Sequence, residues 1–232
     1  MPQDWRTSDI GERWFKEAVV GSEGGDPSVM SRLRDLTRLA GVLVTGPLSR
    51  RPVQPLGDEA GRQLPGDELV SGKAVQWTDG VTIRARPAEI WPWLVQMGCR
   101  RAGWYSYDRL DNSGIPSADR ILPEFQSVEV GDVFPWTPTA DDGFVVRAIE
   151  PEQAIVLGEE TQFTWAFVLQ PVDETSTRLV TRMRMSYKNL AERLMLLVSF
   201  RPIDWGMQRR QLLNLKRSIE IEAKVAAGSN MP

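Results

Sequence analysis

The chain contains no histidine. That absence removes the imidazole from every mechanism: no Ser-His-Asp or Cys-His nucleophile pair, no His-ligated zinc or iron, no side chain that titrates near neutrality unaided. Cysteine is almost as scarce. A single Cys99 cannot close an internal disulfide, and its place at the end of a candidate helix disfavours a thiolate and suits a small buried hydrophobe. Positive charge is not in excess either. With 28 Lys and Arg against 31 Asp and Glu, the formal charge is −3, which argues against a nucleic-acid partner. No Gly-rich phosphate loop and no Cys/His spacing is present, and Asp111, Asp119 and Glu124 lack the alternating ligands and glycine of a calcium loop. No metal and no cofactor is expected.

Long apolar runs are missing as well. Leu39 to Leu48 is about ten residues broken by Gly and Pro, well short of the ~20 that span a bilayer. The N-terminus carries no basic region followed by an apolar signal core, so a cytoplasmic location is expected. Abundant instead is tryptophan: nine indoles among 232 residues supply broad flat apolar surface with one donor each, suited to a bulky core or to the wall of an apolar pocket.

Two regions are expected, 1–65 and 66–232. The first carries Gly-Ser-Glu-Gly-Gly-Asp-Pro at Gly21 to Pro27 and repeated Pro and Gly between Gly46 and Gly66, the marks of loops and linkers. Between them Ser28 to Val44 has helical spacing, with Val29, Leu33, Leu36 and Leu43 on one face. This N-terminal helical arm either packs on the domain or a partner subunit, or, through Arg32, Arg34 and Arg38, lies on a membrane surface.

From Leu69 onward the punctuation is regular. Val81 to Ala85 alternates as a strand; Pro87 to Met97 reads as a helix opened by proline and stopped by Gly98; five further strands are expected at Val128–Trp136, Gly143–Ile149, Ala154–Glu159, Phe163–Pro171 and Arg178–Tyr187. Leu190 to Phe200 is helical and apolar on nearly every side. After Pro202, Ile203 to Ala226 places Met207, Leu212, Leu215 and Ile219 on one stripe. A meander with one face to bury and a long helix to bury it define an α+β two-layer domain.

The residues resemble a known family. Pro-Ala-Glu-Ile-Trp-Pro-Trp-Leu-Val-Gln-Met-Gly at Pro87 to Gly98, Gly-Trp-Tyr-Ser-Tyr-Asp at Gly103 to Asp108, Val-Gly-Asp-Val at Val130 to Val133, Thr-Trp-Ala-Phe-Val-Leu at Thr164 to Leu169 and the segment Pro202 to Lys216 look like the SRPBCC (START-like, polyketide cyclase/dehydrase) superfamily over about residues 65–226. The resemblance implies a helix-grip fold, a curved antiparallel sheet wrapped around the C-terminal helix with an internal, mostly apolar cavity. It implies an extended hydrophobic small molecule as partner. It does not choose between a cofactor-independent cyclase or dehydratase and a non-catalytic carrier.

With imidazole and thiolate unavailable, proton transfer falls to phenols and carboxylates. Tyr105 and Tyr107 are the candidate donors to a substrate oxygen, Asp108 the candidate base, and Arg182 a possible orienting cation. The competing reading has the tyrosines satisfy backbone carbonyls, Asp108 cap a helix, and Arg178, Arg182 and Arg184 face solvent by alternation. Trp104, Trp136, Trp165, Phe167, Met183, Tyr187 and Met207 are the candidate walls of a cavity of ~300–1,000 Å³. Oligomeric state is not encoded in any of these features.

Overall fold

The computed structural model describes residues 53–136, 142–159 and 161–229, with Thr37 and Gly41 isolated ahead of them. The arm helix expected at 28–44 otherwise lies outside the described residues.

Six strands form one curved, unclosed antiparallel sheet: β1 (Ala74–Ile83), β2 (Val133–Pro135), β3 (Gly143–Glu150), β4 (Ala154–Glu159), β5 (Phe163–Pro171) and β6 (Thr177–Ser186), ordered β1-β6-β5-β4-β3-β2. Strands β2 to β6 are a meander. β1 closes back on β6, pairing Ala74 with Ser186 through Ile83 with Thr177. Helix α1 (Pro87–Val95) follows β1, with Pro87 at its first position and the Glu89 carboxylate accepting from the Arg86 N–H. A single turn, α2 (Asp108–Asp111), begins the long connection to β2. After β6 come α3 (Leu190–Met195), a π turn (Leu196–Phe200) and α4 (Arg201–Ser229). Pro202 does not interrupt this helical stretch. Pro202 has no N–H to donate into the preceding turn, and the π turn, closed by Arg201 N–H on the Leu196 carbonyl, absorbs the join. Together the sheet, its meander order and α4 make the α+β helix-grip architecture.

Alternation assigns the sheet two faces. Trp165, Phe167, Leu179 and Met183 point to the concave side, where Leu212, Leu215 and Ile219 of α4 are buried against them in one core. The convex face is not left to solvent. Val53, inside the stretch that sequence reads as linker, joins the main core, and from Gln54, whose carbonyl accepts from Arg178, to Leu69 the chain packs onto the convex side. Residues 54–69 cross that face and bury the arginines of β6. Arg178 makes a two-nitrogen ion pair with Glu59 (2.9 and 3.0 Å), and Arg182 meets Asp67 (2.6 Å), Thr78 Oγ1 (3.0 Å) and the carbonyls of Arg62 and Glu59. Gly80 makes room for the first of these: a Cβ there would stand 2.7 Å from the Arg178 guanidinium.

Candidate active site

The cavity is built at one end of the grip, between the concave face and the start of α4. Phe144, Phe163, Trp165, Met183 and Met185 come from β3, β5 and β6. Trp136 follows β2, Trp104 precedes α2, Phe200 ends the π turn, and Met207 stands on the first turns of α4. Its volume is about 90 Å³ and it is partly open to solvent. That is smaller than the size expected from sequence, because the indoles fill the space they enclose. Trp104 stacks on Trp165 at 5.5 Å, and Phe144 meets Trp104, Trp136 and Trp165 edge-on at 5.4–5.6 Å.

Of the wall residues read from sequence, Trp104, Trp136, Trp165, Met183 and Met207 line the cavity. Phe167 lies in the core behind them, and Tyr187 packs at the margin of that core. The phenols are elsewhere. Between Gly103 and Asp108 side chains alternate, so that Trp104 and Ser106 line the cavity while Tyr105 and Tyr107 do not. Tyr105 takes a left-handed φ of 59°, a conformation costing about 1–2 kcal/mol for an L-residue. Three contacts hold it: its N–H donates to Ser117 Oγ (2.9 Å), its carbonyl accepts from Asn214 (2.8 Å), and its hydroxyl accepts from Gln96 Nε2 (2.6 Å). Burial pushes the Tyr105 phenol up to about 12. Tyr107 is buried with the Arg210 guanidinium 4.3 Å from its ring centre. Asp108 accepts from the N–H (3.1 Å) and hydroxyl (2.6 Å) of Ser117, tying the loop after α2 to the helix start. Arg182 sits on the convex face with the sheet between it and the cavity, which corrects the picture of an inward guanidinium: β6 keeps its alternation, and Asp67 is its counter-ion.

Two carboxyls that sequence reasoning did not choose occupy the cavity instead, Asp111 and Asp204. Asp111 is buried at the end of α2. Desolvation, reinforced by the Asp108 charge, raises it to about 7 against the pull of the Tyr107 N–H on Oδ2 and of the Ser106 hydroxyl, and among the described residues Oδ1 has no hydrogen-bond partner. Asp204 is raised to about 6, first by burial and then by Asp79, while Arg201 and the Trp77 indole N–H (2.7 Å) work the other way. Arg201 bridges Asp204 (3.1 Å) to Asp79 (2.9 Å) and lies over the Trp77 ring. Gln208 and Gln211 complete the polar wall: the Trp165 N–H donates to Gln208 (2.9 Å), which donates to Gln211 (2.8 Å). Cys99 is buried with its thiol against the Asp111 carbonyl, and burial pushes it up to about 12, a poor nucleophile.

The arrangement is that of a helix-grip domain enclosing an aromatic cavity with an unpartnered carboxylate oxygen in its wall. A scan of protein-family models and a search of curated proteins find no match. Solved structures do match at low identity, and polyketide-cyclase-like proteins are among them. A polyketide-cyclase-like protein of Corynebacterium glutamicum is 17% identical over 66% of this chain and 96% of its own, with a TM-score of 0.35. The KanY protein is 15% identical over 64% and 99%, at 0.41. The di-domain ARO/CYC protein StfQ of the steffimycin biosynthetic pathway is 13% identical over 88% of this chain and 63% of its own, at 0.36. At such scores they lend no activity to this chain, and its fold rests on its own topology.

Proposed function

We propose that this chain binds an extended, largely apolar small molecule in the aromatic cavity and catalyses a cofactor-independent cyclisation or dehydration in which Asp111 moves the proton. The observation that carries the reading is the Asp111 carboxyl itself: buried in the wall of an apolar cavity, with one oxygen unpartnered and an affinity for protons near neutrality. A general acid or base works best when its pKa lies near the operating pH, and in a chain without histidine a desolvated carboxyl is the group that meets this condition. The stacked indoles would hold a flat unsaturated ligand face-on, and Gln208, Gln211 and Ser106 would meet its oxygens.

A non-catalytic carrier is the second reading. It is favoured by the satisfied Trp165–Gln208–Gln211 chain and by the Tyr105 and Tyr107 hydroxyls, which do not line the cavity. Titrating the protein with polycyclic phenols while following tryptophan emission tests binding; conversion of the tightest ligand tests catalysis. Asp111→Asn is expected to lower turnover on the order of 10²–10⁴-fold with affinity largely kept. An emission spectrum that no such ligand alters refutes the cavity reading. Binding without turnover, in wild type and variant alike, selects the carrier.

A further inference from the structure

Four large aliphatic side chains stand in solvent along α3 and the π turn: Leu190 (65% exposed), Leu194 (51%), Leu197 (40%) and Val198 (70%). Their spacing of four, three and one puts them on one face. The opposite side is anchored, with Leu196 buried in the core and Phe200 against Trp77 at 5.9 Å. The fully exposed charges beside the face are cationic. Lys188 and Arg193 are exposed, whereas the nearest acid, Glu192, is turned back to cap the helix, accepting from the Lys188 N–H (2.6 Å). This segment also leads directly to the cavity, since Phe200 and Asp204 line its wall.

We propose that this face docks on an anionic lipid surface, with Leu190, Leu194, Leu197 and Val198 in the acyl boundary and Lys188 and Arg193 at the headgroups. A short amphipathic helix with aliphatic residues on one side and cations beside them is suited to lie in that interface. The cations matter on a chain of formal charge −3, because only a local excess of positive charge makes approach to an acidic surface favourable. Size favours lipid over a second copy of the chain. The four side chains expose about 400 Å² together, half of what each partner contributes to a stable protein interface, whereas lipid insertion requires no matching partner surface. Docked this way, the cavity lies beside the bilayer, the source from which an apolar ligand would enter.

The test is co-sedimentation of the full chain with vesicles of phosphatidylcholine alone and of phosphatidylcholine with phosphatidylglycerol. Wild type is expected to sediment with the mixed vesicles and weakly with the neutral ones. Leu194→Glu with Val198→Glu should lower the partition at least ~10-fold, and Lys188→Gln with Arg193→Gln about 5-fold per charge. All four positions are exposed, so the variants should keep the wild-type circular dichroism and the wild-type emission response to cavity ligands, which separates failure of docking from failure of the cavity. Absence of sedimentation by wild type overturns the proposal, as does binding that the double glutamate variant leaves intact. A wild-type dimer that the glutamates dissociate overturns it in favour of self-association.

Discussion

Asp111→Asn should make the protein more stable at high pH and leave it nearly unchanged at low pH. The folded carboxyl titrates at about 7, from an ordinary value of 3.8. A raised pKa means that the native state holds the proton more tightly than the unfolded chain. Below about pH 4 both states are protonated and the group contributes nothing. Between about 4 and 7 the unfolded chain ionises first, so native stability falls as pH rises, and above 7 the penalty is complete. Its size is roughly 4 kcal/mol, from 1.36 kcal/mol for each unit of a three-unit shift. Asparagine has the same shape and no charge. Its oxygen can accept from the Tyr107 N–H as Oδ2 does at 3.3 Å, and its amide falls where Oδ1 now has no partner. Urea unfolding of both proteins at pH 5 and pH 8 reads the difference directly. The variant's midpoint should exceed wild type by about 1–2 M at pH 8, for a slope of roughly 2–3 kcal/mol per molar, with less than about half that gap at pH 5. A gap that does not change with pH, or a variant less stable at pH 8, refutes the desolvated carboxyl.

Arg182→Met should destabilise the fold by about 3–5 kcal/mol, since it strands the Asp67 carboxylate and the carbonyls of Arg62 and Glu59 beneath the outer segment. Because the sheet separates Arg182 from the cavity, folded variant should bind cavity ligands as wild type does, and a specific loss of affinity would contradict its placement. Tyr105→Phe should cost about 1 kcal/mol through the lost Gln96 hydrogen bond and leave ligand binding and turnover unchanged; a large fall in turnover would return the phenol to the chemistry.

Strands β4 and β5 were legible to the residue, because turn signals bound them and a buried strand's composition is local information. The first half of β1 was not. The expected strand starts at Val81 and the observed one at Ala74, since Thr78 and Asp79 look like surface residues until their partners are known: Arg182 lies about a hundred residues away and Arg201 further still. β2 erred the other way, shrinking to Val133–Pro135. Alternation correctly put Arg178 and Arg182 opposite the apolar residues of β6, but nothing in it announced that residues 54–69 would cover them. At the site, aromatic composition pointed to three residues that line the cavity, Trp104, Trp136 and Trp165, and apolar alternation or helical spacing to two more, Met183 and Met207. It failed on Tyr105 and Tyr107 because a shift of one position sends a side chain to the other side of the backbone. Asp111 and Asp204 carry no sequence signal that separates them from other carboxylates; what distinguishes them is burial, which only the assembled fold supplies.

The order of the strands bears on how the chain is made. Among the described residues β1 has β6 as its sole neighbour in the sheet, yet β6 is the last of the six strands to leave the ribosome. At about 5–20 residues per second, the roughly ninety residues between Ile83 and Thr177 leave β1 without a pairing partner for about 5–20 s. During that interval Trp77, Val81 and Ile83, all bound for the core, are exposed on a nascent strand, while β3, β4 and β5 can already zip together as hairpins. Completing the sheet therefore waits on the capture of an early strand by a late one, and the seam between β1 and β6 is where exposed apolar strand persists longest during synthesis.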